Sequence, residues 1–583
     1  MFSTFFRNQL DQVEPSFNHF QICIRSIAFT PVTKMGAAIS KSSQHYPNSR
    51  QVVTSYGPIE GRRLIHEGDK QVDAFQGIPY AAPPIGKLRF AMPQPHEKWT
   101  EVRETKAFGY RGIQKDHILN VKAVSQSEDN LTLNVFTPVW SPKNETGFPV
   151  LFYIHGGGFI SDSAHKYGDL SVCQHLCTKD VVVVTIQYRL GYLGFWTTGD
   201  SSIPDNLALH DMTFALKWVK ENIGLFNGDP NNITLMGQSA GGASVDFLSI
   251  SPVSRDLFHK VIPMGGNASC AWAIHPRPLN SCRTRAQEIG VLDGMNTLDW
   301  IEKLREVPAE KFGSALDMGA VDLKSDPELV IGPKYDNLFI PKSIMELRKE
   351  APVKPRLVGC ARSEGLVLCM FGMNTKHPLH TIHQDVSSIL SEKLFPLKAR
   401  DLQEKALEKL IDIGSDHSKE EWQRAICELK GDSFLNIGVQ QNVLDVLETQ
   451  PETPVYLYSF DYYNTKAYGI MGWKLPFKDA THCTDISYVV GNHIVMSLDF
   501  NEEDYKMIDI TTRLWTNFAK YGDPNGEGED AAQLEQKWEP ATIENPQTHL
   551  SLSLQPKLQQ VYKQGRPLFM AKLLKEARPP PNL

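Results

Sequence analysis

Five residues carry the strongest chemical signal in the chain: Gly237-Gln238-Ser239-Ala240-Gly241, with Gly242 next. A serine framed by glycines two positions either side fits a nucleophile held on a tight strand-to-helix corner. The glycines are needed because strand and helix approach there without room for a Cβ. The flanks agree: the apolar run Ile233-Thr-Leu-Met236 precedes the motif, and a helix-compatible stretch, Ala243 to Ile250, follows it. A serine hydroxyl is a weak nucleophile until a base takes its proton, so a histidine is required. An attacked carbonyl gathers negative charge on oxygen, so fixed hydrogen-bond donors are required too. His155-Gly156-Gly157-Gly158-Phe159 ends an earlier apolar run. Its Gly157 and Gly158 can turn backbone N–H groups toward that oxygen, joined by the N–H of Ala240. The loop lacks the Gly-Lys-Ser/Thr ending of a phosphate cradle.

In this layout the acid and then the histidine follow the serine in chain order. Seven histidines lie beyond position 360: His377, His380, His383, His417, His482, His493 and His549. Spacing alone does not choose among them. The His377/His380/His383 trio is interrupted by Pro378 and has no Cys or Glu cluster beside it, so it reads as solvated or helix-capping. Cys173 and Cys177 have no second pair to complete a zinc site and read as small apolar helix residues. Neither a metal nor a cofactor is expected.

The elements that must position these groups are legible as continuous apolar runs. Pro149–Ile154, Val181–Tyr188, Ile233–Met236 and Val455–Tyr463 read as buried parallel strands. Between the second and third, Leu207, Phe214, Leu216, Trp218, Val219 and Ile223 give the pattern of an amphipathic helix. Strand–helix–strand alternation on this scale predicts an α/β class fold, a mostly parallel central sheet with helices on both faces.

Composition narrows the function classes. At about 150 residues per domain, 583 residues suggest about four domains. No Pro/Ser/Gly-rich linker divides the chain, however, so 51–573 reads as one domain, preceded by a leader (1–50) and followed by a tail (574–583). With 10% aromatic and 22% charged residues the chain can build a core and is not a disordered polymer. A net charge of −7 argues against a nucleic-acid partner. No apolar run approaches the about 20 residues of a membrane span. The leader has no secretory apolar core, since Asp11 and Glu14 interrupt it. Met35-Gly36-Ala-Ala-Ile-Ser40 fits the N-myristoylation pattern. Lipidation at Gly36 requires initiation at Met35 and would give weak membrane attachment.

Further stretches carry a resemblance. Phe75-Gln-Gly-Ile-Pro-Tyr-Ala-Ala-Pro-Pro-Ile-Gly-Lys-Leu-Arg-Phe90, Ser127-Glu-Asp-Asn-Leu-Thr-Leu-Asn134, Tyr188-Arg-Leu-Gly-Tyr-Leu-Gly-Phe195 and Gly228-Asp-Pro-Asn-Asn-Ile-Thr234 follow one another in order. Together with the serine motif they resemble the type-B carboxylesterases, the α/β-hydrolase group that also holds cholinesterases and juvenile hormone esterases. The resemblance implies an α/β-hydrolase fold and a serine esterase. It assigns the acid to Glu364, in Ala361-Arg-Ser-Glu-Gly365, and the base to His482, in His482-Cys-Thr-Asp-Ile-Ser-Tyr-Val-Val-Gly491. Ser239 is then the nucleophile of a Ser-Glu-His triad, with Gly157, Gly158 and Ala240 as the oxyanion hole. The implied substrate is a small, fairly apolar ester. The alternative is a silent or slow member serving as a binding or adhesion module, or as a scavenger of acylating toxins.

Departures from the family pattern are informative. Asn130 stands where the family box carries Cys, the partner cysteine near Ile113 is missing, and Gln287–Arg305 contains no Cys. Absence of both family bridges implies folding in a reducing compartment, hence a cytoplasmic or membrane-associated protein. Of four sequons, at Asn130, Asn144, Asn232 and Asn267, two lie within family motifs. No tryptophan occurs between Arg111 and Asn130, which disfavours a choline-ester specialist. Gln238 replaces the usual Glu, as in juvenile hormone esterases, which gives the chain an invertebrate character. Gly265 replaces a serine that many members place beside the acid, so weaker support of Glu364 and lower turnover are expected.

Overall fold

Residues that cannot show either face to water build the centre of the molecule. Val182-Val-Val-Thr-Ile186 is buried along its whole length, as is Thr132–Pro138, and both are strands. The computed structural model describes residues 46–577 apart from 116–124, 292–295, 314–328, 370–376, 393–394, 397, 411–416, 468–471, 473–474 and 495–498. Gly36 lies outside the described residues. Within the unit beginning at Asn48, 13 strands among the described residues form one sheet. They are β1 (Asn48–Val53), β2 (Pro58–Ile65), β3 (Val72–Pro79), β4 (Arg103–Glu104), β5 (Thr132–Pro138), β6 (Phe148–Ile154), β7 (Val182–Ile186), β8 (Gly228–Gln238), β9 (Lys260–Met264), β10 (Arg356–Ala361), β11 (Val455–Phe460), β12 (His549–Leu552) and β13 (Lys557–Gln559).

The spatial order is β1-β2-β3-β5-β7-β6-β8-β9-β10-β11-β12-β13, with β4 paired to β2. From β7 to β12 the sheet is parallel, and antiparallel strands flank it. Helices cover both faces, which makes this an α/β-hydrolase sheet. The position of β6 decides where chemistry can occur. The chain steps from β6 outward to β7, then crosses back over β6 to β8. Loops leaving the carboxyl ends of strands at such a reversal diverge and open a crevice. Here those loops are His155–Gly158 after β6 and Ser239 after β8. The register pairs Ile154 with Gly237, which sets the two loops side by side.

The helices include α1 (Leu207–Asn222), α2 (Ala240–Ile250), α3 (Lys419–Gly431), α4 (Ile437–Thr449) and α5 (Thr484–Val490). Helix α1 carries the apolar residues expected of it, with Ile223 just beyond its end. All of α2 is buried, and it holds Asp246 against Arg348 (2.9 Å) and Arg356 (2.6 Å). Burial opposes charge on Asp246, but the two guanidiniums hold its pKa well below the usual carboxylate range. A π-helical turn, Asp432–Asn436, joins α3 to α4.

Strand boundaries differ from the sequence reading where backbone pairing overrides side-chain pattern. The third strand starts at Gly228, well before Ile233, because Gly228 pairs with Phe148 across a bulge. The second ends at Ile186, and the Tyr188 hydroxyl instead donates to the His155 carbonyl at 2.8 Å. The fourth ends at Phe460, where Asp461 turns to accept from Ser459 at 2.6 Å. At the ends of the chain, β1 begins at Asn48, inside the stretch 1–50, and the last helix runs Arg566–Ala577.

Candidate active site

Ser239 is the hinge between β8 and α2, at φ +58° and ψ −124°. A non-glycine residue reaches this conformation only when its surroundings force it. Those surroundings are visible in the neighbouring glycines. A Cβ on Gly237 would lie 2.4 Å from the Gly241 carbonyl oxygen, and one on Gly241 would lie 2.1 Å from that of Ile154. Backbone meets backbone at both positions. The Ser239 N–H donates to the Met264 carbonyl at 2.8 Å, which fixes the corner to β9.

Two other loops deliver side chains to this serine. His482, in the segment between β11 and α5 and two residues before that helix, places Nε2 2.9 Å from Ser239 Oγ. Its Nδ1 is 2.7 Å from Glu364 Oε2. Glu364 follows β10, and its Oε1 accepts from the Ala361 N–H at 2.7 Å. Serine, histidine and glutamate thus form one hydrogen-bonded chain, with Glu364 1% exposed and Ser239 8%. Of the seven histidines, this is the one brought to the serine. His377, His380 and His383 are exposed at the start of the helix Pro378–Ile389. Cys173 and Cys177 are buried in a helix and the turn after it. Among the described residues no group of three or more His, Cys, Asp or Glu could hold a metal.

Burial of the His482 ring opposes its charge, yet the adjoining Cys483 and the Glu364 carboxylate raise its pKa well above the ordinary value. A second carboxyl, Asp485, lies nearby and accepts from the Tyr458 hydroxyl at 2.7 Å. Burial and then the charge of Glu364 push it up to about 6.

The glycine loop presses on the serine corner from the β6 side. A Cβ on Gly156 would be 2.5 Å from the Gln238 carbonyl and 3.1 Å from Ser239 Cβ. Gly157 and Gly158 have φ of +91° and +60°, which suits glycine and turns the peptide planes of the loop. Gln238 brings Nε2 to 3.4 Å from His482 Nε2. Gly265, at φ +50°, packs against the site: a Cβ there would be in ordinary contact with Gln238 Nε2 at 3.5 Å and with Glu364 Oε1 at 3.6 Å. Glu364 Oε1 is held by the Ala361 N–H.

Several residues of the site carry no sequence signature. Asp479 accepts from Arg362 Nε at 2.9 Å and from Ser363 Oγ at 2.8 Å, lacing the glutamate turn to the histidine loop. The Ser363 N–H to Ala480 carbonyl bond, 2.8 Å, completes the lacing. An aromatic wall stands beside the chain. Phe434 meets the His482 ring edge-on at 5.3 Å, Trp272 lies 5.9 Å from Phe434, and Phe159 lies 6.2 Å from Trp272. Trp272 Nε1 donates to the Phe434 carbonyl at 2.7 Å, pinning the wall to the π-helical turn. Such turns recur at functional sites because they widen a helix locally.

A parallel sheet with a serine corner at its reversal point defines the α/β-hydrolase class. Residues 48–570 match the carboxylesterase family, and the chain belongs to that family. It is 37% identical over 544 residues to the esterase cest-33 of Caenorhabditis elegans, covering 90% of this chain and 94% of that protein. It is 32% identical to a medium-chain fatty acyl-CoA hydrolase precursor of Anas platyrhynchos, over 82% and 85% of the two chains. With the juvenile hormone esterase of Tribolium castaneum it shares 30% identity over 82% and 84%. The protein is a carboxylic ester hydrolase. Among the described residues no helix is long and apolar enough to cross a membrane.

Proposed function

We propose that the protein is a serine carboxylesterase working through Ser239, Glu364 and His482. The observation that carries this reading is the unbroken hydrogen-bonded chain from Glu364 through His482 to Ser239. His482 Nε2 takes the hydroxyl proton as Ser239 Oγ attacks the ester carbonyl. Glu364 keeps the ring proton on Nδ1 and stabilises the imidazolium that forms. The N–H groups of Gly157, Gly158 and Ala240 donate to the oxyanion. His482 then returns its proton to the departing alcohol, leaving an acyl-Ser239. A water deprotonated by His482 attacks that acyl group and releases the acid.

The substrate class is a small, fairly apolar ester, supported by the wall of Phe159, Trp272 and Phe434 facing the histidine. One domain over about 51–573 carries this chemistry. We place the protein in the cytoplasm, with Gly36 as a candidate lipid attachment point. A mass spectrum of the N-terminal peptide of native protein tests the lipid: a peptide beginning at Met1 removes it. The catalytic reading is tested with a fluorophosphonate probe, Ser239→Ala and a panel of esters of varied acyl length. Labelling and turnover are expected for wild type only. Labelling of the alanine variant, or of neither protein, overturns the mechanism, whereas labelling without turnover identifies a scavenger.

A further inference from the structure

Three of the eight described thiols hydrogen-bond to a backbone or hydroxyl group. Cys360 Sγ lies 3.0 Å from the Tyr562 hydroxyl, Cys177 Sγ donates to the Phe136 carbonyl, and Cys282 Sγ accepts from the Thr197 N–H. Cys369 and Cys427 have each other. Their sulfurs are 2.8 Å apart, inside the van der Waals contact of two sulfur atoms. Cys369 ends the short helical turn Leu366–Cys369 that follows Glu364, and Cys427 lies on α3. Both are buried, at 3% and 1% exposure, in a small apolar cluster with Leu366 and Leu475.

The backbones at this place are held as closely as the side chains. A Cβ on Gly365 would lie 2.0 Å from the Cys427 carbonyl oxygen and 2.5 Å from the Gly431 nitrogen. The glutamate turn therefore rests directly on the end of α3, and the two sulfurs need to close by less than about 1 Å to reach the about 2.05 Å of a disulfide bond.

We propose that Cys369 and Cys427 are a disulfide-forming pair, a covalent cross-link between the turn that carries Glu364 and helix α3. Two S–H bonds break and one S–S bond forms. The two electrons and two protons pass to a low-molecular-weight disulfide such as oxidised glutathione. One cysteine thiolate attacks that disulfide and releases the first thiol; the other attacks the protein-side sulfur of the mixed disulfide and releases the second. Hydrogen bonding with Cys369 and burial both push the Cys427 thiol up, so thiolate is scarce and exchange in the folded protein takes hours. In a reducing cytosol the pair stays as two thiols, and an oxidising poise closes it. The cross-link does not depend on which ester the site hydrolyses.

The test uses the full chain, incubated overnight with oxidised glutathione and then alkylated with iodoacetamide in denaturant. Mass spectrometry of the unreduced digest should show the Cys369 and Cys427 peptides joined, lighter by two hydrogens than their sum. The other seven of the nine cysteines should be alkylated. The joined peptide should vanish with dithiothreitol and be missing from Cys427→Ser. The cross-linked protein should melt higher than its reduced form, and Cys369→Ser/Cys427→Ser should show no redox dependence. Two alkylated cysteines, or two separate glutathione adducts, overturn the proposal. Melting temperatures that do not respond to a verified cross-link overturn its role as a clamp.

Discussion

Replacing Glu364 by glutamine tests the hydrogen-bond chain at its most constrained point. The two carboxylate oxygens have different partners: Oε1 accepts from the Ala361 N–H and Oε2 faces His482 Nδ1, each at 2.7 Å. The amide keeps the shape, but the Ala361 N–H demands the amide oxygen on its own side, so the amide NH2 turns toward Nδ1. Nδ1 must then accept, the ring proton moves to Nε2, and Nε2 can no longer take the Ser239 proton. Lost charge adds to this. With charge centres about 4 Å apart, an effective dielectric of about 20 gives about 4 kcal/mol of imidazolium stabilisation. That is about a thousandfold in rate. With the wrong tautomer on top, kcat/KM should fall by about 10³–10⁴, mostly in kcat. The assay is hydrolysis of a short-chain p-nitrophenyl ester across pH, with a thermal melt as a check of folding.

The pH dependence has a fixed sign. Burial opposes charge on His482, but Cys483 and Glu364 raise its pKa above the ordinary value, so wild-type activity fails as pH falls through that raised value. In Glu364→Gln the acid limb moves to lower pH. The raised histidine stabilises the fold fully below about pH 6.5 and ceases to as pH rises through the folded value. The variant should therefore lose more melting temperature on the acid side than on the alkaline side. A variant within tenfold of wild type in kcat/KM, or an acid limb that does not move, refutes the reasoning.

Gly241→Ala should abolish both fluorophosphonate labelling and a normal melt, because its Cβ would stand 2.1 Å from the Ile154 carbonyl oxygen. Asp246→Asn leaves the buried Arg348 and Arg356 without their counter-charge. Its urea transition should show a loss of about 3–5 kcal/mol. Asp485, raised by burial and Glu364 to about 6, stabilises the fold most below about pH 4 and loses that contribution as pH climbs through 6. Two pKa units correspond to about 3 kcal/mol, so Asp485→Asn should flatten the fall in melting temperature between those values. Phe434→Ala opens the wall beside His482 and should raise kcat/KM for butyrate relative to acetate esters by about tenfold, read from the ester panel.

What could be read from the chain, and what could not, follows from the range over which each interaction acts. The serine corner is local: Gly237 and Gly241 lie two residues from Ser239, and the backbone collisions that forbid a Cβ there are written into that spacing. Strands such as Val182–Ile186 announce themselves because burial on both faces leaves no polar position. The histidine is different. Nothing within ten residues of His482 distinguishes it physically from His493 or His549, since its role depends on β8, β9, β10 and β11 lying side by side in the sheet, which brings together residues 243 apart in the chain. Resemblance supplied what local chemistry could not. Asp479 was missed for the same reason, because its partners Arg362 and Ser363 lie more than a hundred residues away. The Phe434 and Trp272 wall was missed because buried aromatics are ordinary core until their neighbours are known. This division has a structural meaning. Ser239 is presented by one strand–turn–helix, whereas Glu364 and His482 are presented by two loops tied to each other through Asp479. The glutamate turn rests in addition on α3, where Gly365 meets Cys427. Replacements at Asp479 or in the contact with α3 should thus misalign Glu364 and His482 together, while leaving the strained geometry of Ser239 intact.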